Sequence, residues 1–231
     1  MNTPPPKRPR SLMIATPIMD GLLDYRHVAA LMGSADLLRR HGVRYTIAYE
    51  IGNSLIADAR NRLVARFLAE DWDDLLFIDA DIAWQPESLL RLLAWDVPFV
   101  AATYPRKSAT PRFAIEFGPT ITRVGELFVA SRVGTGFMRL RRDALQRLAA
   151  AHPELRLRDS NDPPNPHYMA LFDTGVHEGQ YVGEDFLFCD RWRALGGQVL
   201  VDADIPLQHI GTRVWEGRLA DFLQPNRGAA A

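Results

Sequence analysis

The sequence predicts an α/β domain built around a mostly parallel sheet, and three observations carry that expectation. Four short apolar runs alternate with helical periodicity through the first hundred residues, the pattern of a wound α/β layer. With 231 residues, 47% of them hydrophobic and 24% charged, the chain can bury the core of one domain. After Tyr104 the pattern changes to β-like runs punctuated by Gly118, Gly125, Gly134 and Gly136, as antiparallel hairpins would give.

Ser11 to Thr16 (SLMIAT) reads as a buried strand, closed by Pro17 and the turn signal Asp20-Gly21. Tyr25, Val28, Leu31, Met32, Ala35 and Leu38 recur at three- and four-residue spacing and mark a helix, with Gly42 placed to end it. Val43 to Tyr49 is the second strand. Asn53 or Ser54 is the expected cap of a helix reaching about Glu70. Leu75 to Asp79 is the third strand, Pro86 opens a short helix, and Pro98 to Ala102 is the fourth strand. Right-handed crossovers would place the loops that follow these strands at one edge, where ligands bind.

Beyond the hairpins, a helix is expected over 142–151. The polar, turn-rich stretch from Pro153 to Tyr181 has the length and composition of a binding loop or a lid mobile without ligand. A helix over 184–195, ended by Gly196-Gly197, and a strand over 198–201 complete the expectation.

Composition excludes collagen-like, disordered and disulfide-rich classes. A formal net charge of −1 argues against a chain whose main work is neutralising nucleic-acid phosphates. Cys189 is the single cysteine, so no intrachain disulfide is expected. The proline-rich, basic start lacks the apolar stretch of a secretory signal, and no run approaches the ~18–20 apolar residues of a membrane span. The expectation is a soluble, cytoplasmic protein with a flexible tail over 1–10.

Two carboxylates one residue apart can hold a divalent cation against a diphosphate. The tripeptide occurs three times, as Asp71/Asp73, Asp79/Asp81 and Asp202/Asp204. The first precedes a strand, in a solvated turn. The second follows LLFI at the ligand-binding edge, and this position selects it. The third also ends an apolar run and is its rival, but belongs to the last strand, outside the four-strand unit.

Arg60 falls within the apolar stripe of Ile56, Ala59, Leu63, Val64 and Phe67. A cation there needs an acidic partner or a route to solvent; it either pairs structurally or contacts a nucleotide or the acidic pair. Gly134-Thr135-Gly136 either lets a donor sugar approach the backbone or forms an ordinary hairpin bulge. Tyr104, Arg106 and Lys107 follow the fourth strand, where cations could meet a diphosphate or line a solvated loop. Glu184 and Asp185 open a helix, where acids complement the helix dipole without any catalysis.

Read in order, SLMIATP, ADARNRLVARFL, LLFIDADIAWQPESL, AATYPRK, GTGFMRLRRDAL, GEDFLFCDRWRALGG and LQHIG resemble the GT-A fold glycosyltransferases, small bacterial and viral members above all. The resemblance spans about Ser11 to Gly211. It implies a single GT-A-like, Rossmann-like domain over 11–215, with a nucleotide-binding half over 11–103, an acceptor half over 104–215 and a tail over 216–231.

It also implies a metal-dependent transferase moving a sugar from a nucleotide diphosphate sugar to a hydroxyl acceptor (glycan, lipid, protein or modified nucleic acid), with inversion. By that resemblance Asp79, Asp81 and His209 hold Mn²⁺ or Mg²⁺. Thr16, Pro17, Arg60, Asn61, Asp79, Lys107, Gly134, Thr135 and Gly136 meet the donor. Asp185 is the base and Glu184 orients the acceptor. The alternatives are a retaining transferase, a nucleotidyltransferase, and a non-catalytic nucleotide-sugar-binding module. A nucleotidyltransferase commonly carries a basic phosphate loop after its first strand, and ATPIMDG has none.

Overall fold

The computed structural model describes residues 11–110, 112–160, 163–177 and 179–223; the expected tail over 1–10 lies outside them. In chain order the elements are β1 (Leu12–Ile18), α1 (Tyr25–Arg40), β2 (Tyr45–Ile51), α2 (Ile56–Ala69), β3 (Asp74–Ile78), β4 (Ile82–Trp84), α3 (Glu87–Ala94) and β5 (Phe99–Ala101). Short strands follow: β6 (Ile115–Glu116), β7 (Thr122–Val124), β8 (Leu127–Ala130), β9 (Arg132–Val133) and β10 (Phe137–Arg141). Then come α4 (Arg142–Ala151), the hairpin β11 (Gly175–His177) and β12 (Gln180–Val182), α5 (Glu184–Ala194), β13 (Val199–Val201), β14 (Leu207–Ile210), β15 (Val214–Gly217) and α6 (Leu219–Leu223).

The main sheet has eight strands in the order β2-β1-β3-β10-β5-β13-β8-β7. β1 pairs in parallel with β2 and β3, and β13 with β5, while β10 lies antiparallel between β3 and β5. A strand from the second half of the chain is thus inserted at the centre of the first, so both halves share one sheet. β1 and β3 are buried along their whole length, as expected of strands covered on both faces. Alternate residues divide between two layers. Met13 and Ala15 join Leu63 and Phe67 of α2, Leu145 of α4 and Phe188 of α5. Leu12 and Ile14 join Leu31 and Leu38 of α1 and Leu89 of α3.

Internal cations tie the layers. Arg139 of β10, fully buried, donates from Nη1 to Asp74 Oδ1 at 2.7 Å and from Nη2 to the Val97 carbonyl at 2.8 Å. Arg142 donates to the carbonyls of Phe67, Leu68, Glu70 and Trp72, so one guanidinium satisfies acceptors that the end of α2 would leave open.

Several boundaries differ from expectation. Asn53 does not cap α2: its Oδ1 accepts the Leu55 N–H, its Nδ2 donates to Asp58, and the helix begins at Ile56. The expected tail over 216–231 is an extension of the domain as far as it is described. β15 pairs with β14, Leu219 of α6 is buried in the main core, and the Ala220 N–H donates to the Ala203 carbonyl. Residues 224–231 lie outside the described residues.

The stretch expected to be a lid is anchored through its middle. Phe172 stacks on Phe188 at 4.2 Å between centroids, and the Tyr168 hydroxyl donates to Asp58. Asn61 of α2 binds the Phe172 backbone twice, donating to its carbonyl at 2.7 Å and accepting its N–H at 2.8 Å. Aromatic positions separated by polar turns concealed this contact in the sequence.

Asn61→Ala is expected to loosen that anchor. Losing a buried amide pair costs about 1–3 kcal/mol of local stability, so exchange of the Phe172 amide proton should accelerate roughly 5- to 150-fold. Unchanged exchange at Phe172 would show that the stacking on Phe188 alone holds the segment.

Candidate active site

The third strand delivers the selected acidic pair. β3 ends at Ile78, and a turn closed by the Ile82 N–H donating to the Asp79 carbonyl at 3.0 Å leads into β4. The rival pair is engaged by another set of partners. Asp202 is buried and accepts from Arg91 Nε at 2.6 Å and Trp95 Nε1 at 2.9 Å, while Asp204 meets Arg91 and Arg218. Asp71 is fully exposed, and Asp73 accepts from Ser11.

Arg60 is 3% exposed. Its Nη1 donates to Asp79 Oδ1 at 3.0 Å, its Nε approaches Glu184 Oε1 at 3.3 Å, and its guanidinium lies over the Phe77 ring at 5.6 Å. Burial alone would lower its pKa, but Asp79 and Glu184 outweigh burial and raise it. The stripe anomaly in the sequence is therefore a bridge between the end of β3 and the start of α5.

Asp81 belongs to a second cluster. Its Oδ2 accepts from Lys107 Nζ at 2.6 Å and faces His209 Nε2 at 3.3 Å. Burial opposes its ionisation, but the contacts from His209 and Lys107 prevail and bring the carboxyl down to about 2. His209 Nδ1 lies 2.8 Å from the Pro105 carbonyl, so Nδ1 is the donor to that carbonyl and Nε2 is the ring nitrogen turned towards Asp81.

An imidazole nitrogen and a carboxylate oxygen converging in this way, with the ring fixed by a backbone carbonyl, form a donor pair suited to a divalent cation. Asp79 stands apart, engaged with Arg60. Among the described residues no three Asp, Glu, His or Cys side chains gather into a metal-holding group. Of the expected trio of Asp79, Asp81 and His209, the structure brings Asp81 and His209 together.

Asp185 lies in the first turn of α5, and its Oδ1 accepts the Phe186 N–H at 2.8 Å. Burial, then the adjacent Glu184, push its carboxyl up to about 6. An acid serving only to complement a helix dipole is held at a lowered pKa; this one is kept protonated to a higher pH than a free aspartate.

The glycines of the 134–136 motif make room for a protein side chain. A Cβ on Gly136 would lie 2.4 Å from Tyr104 Cε1, and one on Gly134 would lie 2.7 Å from the Tyr104 hydroxyl. Thr135 between them is buried. Tyr104 in turn stacks edge-on against His209, with centroids 4.9 Å apart. Its importance was not evident from the sequence, where only its place after the fourth strand drew notice.

Three expected donor contacts are placed elsewhere. β1 runs two residues beyond Thr16, so Thr16 and Pro17 are buried within the strand and Met19 and Asp20 emerge at the edge. Asn61 spends its amide on Phe172. Trp84, Trp192 and Cys189 are core residues, and burial pushes the Cys189 thiol up.

No protein-family model matches the chain, and no curated protein matches it. Solved structures do. A197 from STIV is 16% identical, aligned over 87% of this chain and 86% of its own, with a TM-score of 0.50. A Drosophila β-1,4-galactosyltransferase 7 mutant, in complex with manganese, UDP-Gal and xylobiose, is 14% identical over 94% of this chain and 76% of its own, at a TM-score of 0.47. A glycosyltransferase involved in glycosylation of the major capsid of PBCV-1 is 12% identical over 59% of this chain and 62% of its own, at 0.34. The likeness to A197 is one of fold. The architecture is the mixed α/β fold expected from the motifs, a mostly parallel sheet with antiparallel additions. No helix among the described residues is long and apolar enough to cross a membrane.

The two readings of Asp185 predict opposite signs for Asp185→Asn. Because the folded pKa lies above the ordinary 3.8, ionisation costs the fold stability as pH rises from about 4 through about 6. Asparagine removes that cost, so the variant should gain up to about 3 kcal/mol at pH 7 in denaturant unfolding, with the gain vanishing below pH 4. A loss of about 0.3–1 kcal/mol would instead mark a dipole-complementing acid.

Proposed function

We propose that this chain transfers a glycosyl group from a nucleotide diphosphate sugar to a hydroxyl acceptor, with inversion. The observation that carries the reading is the Arg60 bridge, which brings the strand-end acid Asp79 and the helix-start acid Glu184 together beside Asp185. A donor held at the end of β3 then lies next to an acid poised for proton transfer.

Asp81 and His209 are the residues that would hold a divalent cation, with phosphate oxygens completing its shell. Bound there, Mn²⁺ or Mg²⁺ supplies charge stabilisation for the departing diphosphate. Lys107, already on Asp81, adds a cation on the same side. Asp79 and Arg60 form the floor of the donor site, and Gly134 to Gly136 shape it through Tyr104.

Asp185 takes the proton of the acceptor hydroxyl as that oxygen bonds to the anomeric carbon. The carbon's bond to the diphosphate oxygen breaks, and the diphosphate leaves with the electron pair. Attack opposite the leaving group inverts the anomeric centre. Glu184, fixed by Arg60, orients the acceptor. Thr16, Pro17 and Asn61 have no part in this arrangement.

The test is turnover of a nucleotide-sugar panel with Mn²⁺. Asp185→Asn should lower transfer by roughly 10²-fold or more and leave nucleotide-sugar affinity unchanged, whereas Asp81→Ala should abolish the response to Mn²⁺. Near-wild-type transfer by Asp185→Asn would sink the base assignment.

The wild-type rate should also fall about tenfold per pH unit below about 6, the pH at which Asp185 becomes protonated. A flat profile between pH 4.5 and 6 would contradict it.

A further inference from the structure

A cavity of about 480 Å³ opens on the three-stranded sheet β15-β14-β4, away from the Arg60 cluster. Side chains alternate faces along a strand. Gln208 pairs in register with Ala83 and Glu216, and all three line the cavity; His209 pairs with Ile82 and Trp215, and its imidazole reaches Asp81. The strands that carry the proposed cation ligand on one face thus floor a separate cavity with the other.

Its lining is built from paired polar groups. Gln208 Nε2 donates to Glu216 Oε2 at 3.0 Å across the strands. Arg218 grips Asp221 with two bonds, Nη2 to Oδ1 at 2.6 Å and Nε to Oδ2 at 3.3 Å, and its Nη1 lies 3.7 Å from Asp204. Gln85 completes the polar rim, and Trp84 and Leu207 give an apolar border.

This chemistry selects among ligands. Three carboxylates line the cavity with the one guanidinium of Arg218, and even with Arg91 on Asp204 from outside the lining negative charge is in excess, which disfavours an anion. Arg218, set between two of those carboxylates, disfavours a bare cation, and no metal-holding group is formed among the described residues. What is offered is an alternation of amide N–H, amide carbonyl, carboxylate and guanidinium on the face opposite the buried Trp84 indole. That array matches groups that each donate and accept, as the hydroxyls of a sugar do. The volume falls in the range of small-ligand sites, about 300–1,000 Å³.

We propose that this cavity is a second binding site, for a neutral sugar unit, separate from the Asp79–Asp185 cluster. It goes beyond the transferase reading and stands whether or not that reading holds.

The test titrates the full chain, without nucleotide or metal, with maltotriose, cellotriose, mannotriose and triacetylchitotriose at millimolar concentration, read by saturation-transfer NMR and calorimetry. At least one trisaccharide should bind saturably. Its affinity should fall tenfold or more in the Gln208→Ala/Glu216→Ala double variant, and likewise in Gln85→Ala should the double variant unfold differently from wild type. Binding should persist in Asp185→Asn.

No saturable binding by any of the four, or equal binding by the cavity variants, would overturn the proposal. So would binding lost in Asp185→Asn but retained in the cavity variants, which would place the sugar in the other site. Failure of the transferase reading shows instead in turnover of nucleotide sugars, which this titration does not measure.

Discussion

The buried guanidinium of Arg60 is the constraint around which the candidate site is arranged. A charge taken out of water on α2 costs several kcal/mol unless its partners are fixed and close. Asp79 and Glu184 supply those partners from positions 19 and 124 residues away in the chain. Each comes from the end of a rigid element, β3 for one and α5 for the other, so the bridge holds only when the sheet and the helix layer are both in place. Folding and site assembly are therefore one event here. Removing either acid would leave the buried cation with one partner in place of two, a larger penalty than the loss of one surface ion pair.

Other cations work on the same plan at a distance from the chemistry. Arg139 pairs with Asp74 at the opposite end of β3, and Arg142 binds the carbonyls that end α2. The first fixes β3 against β10 and the second fixes where α2 stops. Together they set the position from which Arg60 reaches Asp79. The inserted strand β10 serves both: it begins just after Gly136, whose missing side chain admits Tyr104, and ends at the start of α4.

Much of this was legible in the sequence because it rests on local periodicity. Strand runs, helical stripes and the glycines after α1 and α5 were read to within a few residues, and Arg60 announced itself as a cation in an apolar stripe. What escaped depends on contacts that periodicity does not encode. Gly134 and Gly136 signalled a close approach, but nothing in the sequence said that the approaching group was Tyr104 rather than a sugar. Thr16 and Pro17 were placed at a strand end that lies two residues further on, because proline was read as a stop although its missing N–H is tolerated there. The segment through Tyr168 and Phe172 looked like a lid, since its anchors on Asp58, Asn61 and Phe188 are far away in the chain. Leu219 looked like part of a tail because a five-residue helix shows too little periodicity to be seen.

The same long-range contacts separate the acids of the site by pKa. Asp81 has Lys107 and His209 on one carboxylate oxygen and is brought down to about 2; Asp185 has burial and the neighbouring Glu184 and is pushed up to about 6. Two aspartates of one ordinary pKa thus come to differ by enough that, near pH 5, one is a fixed anion and the other still holds its proton. An environment that drives acids apart in this way divides their roles. The permanently ionised member suits a cation and the phosphates that cation gathers, and the reluctantly ionised one suits proton transfer near neutral pH. Arg60 lies between these roles, neutralising Asp79 and Glu184 while making no ion pair with Asp185 among the described residues. The cation that assembles the cluster pulls this carboxylate down less than burial and Glu184 push it up.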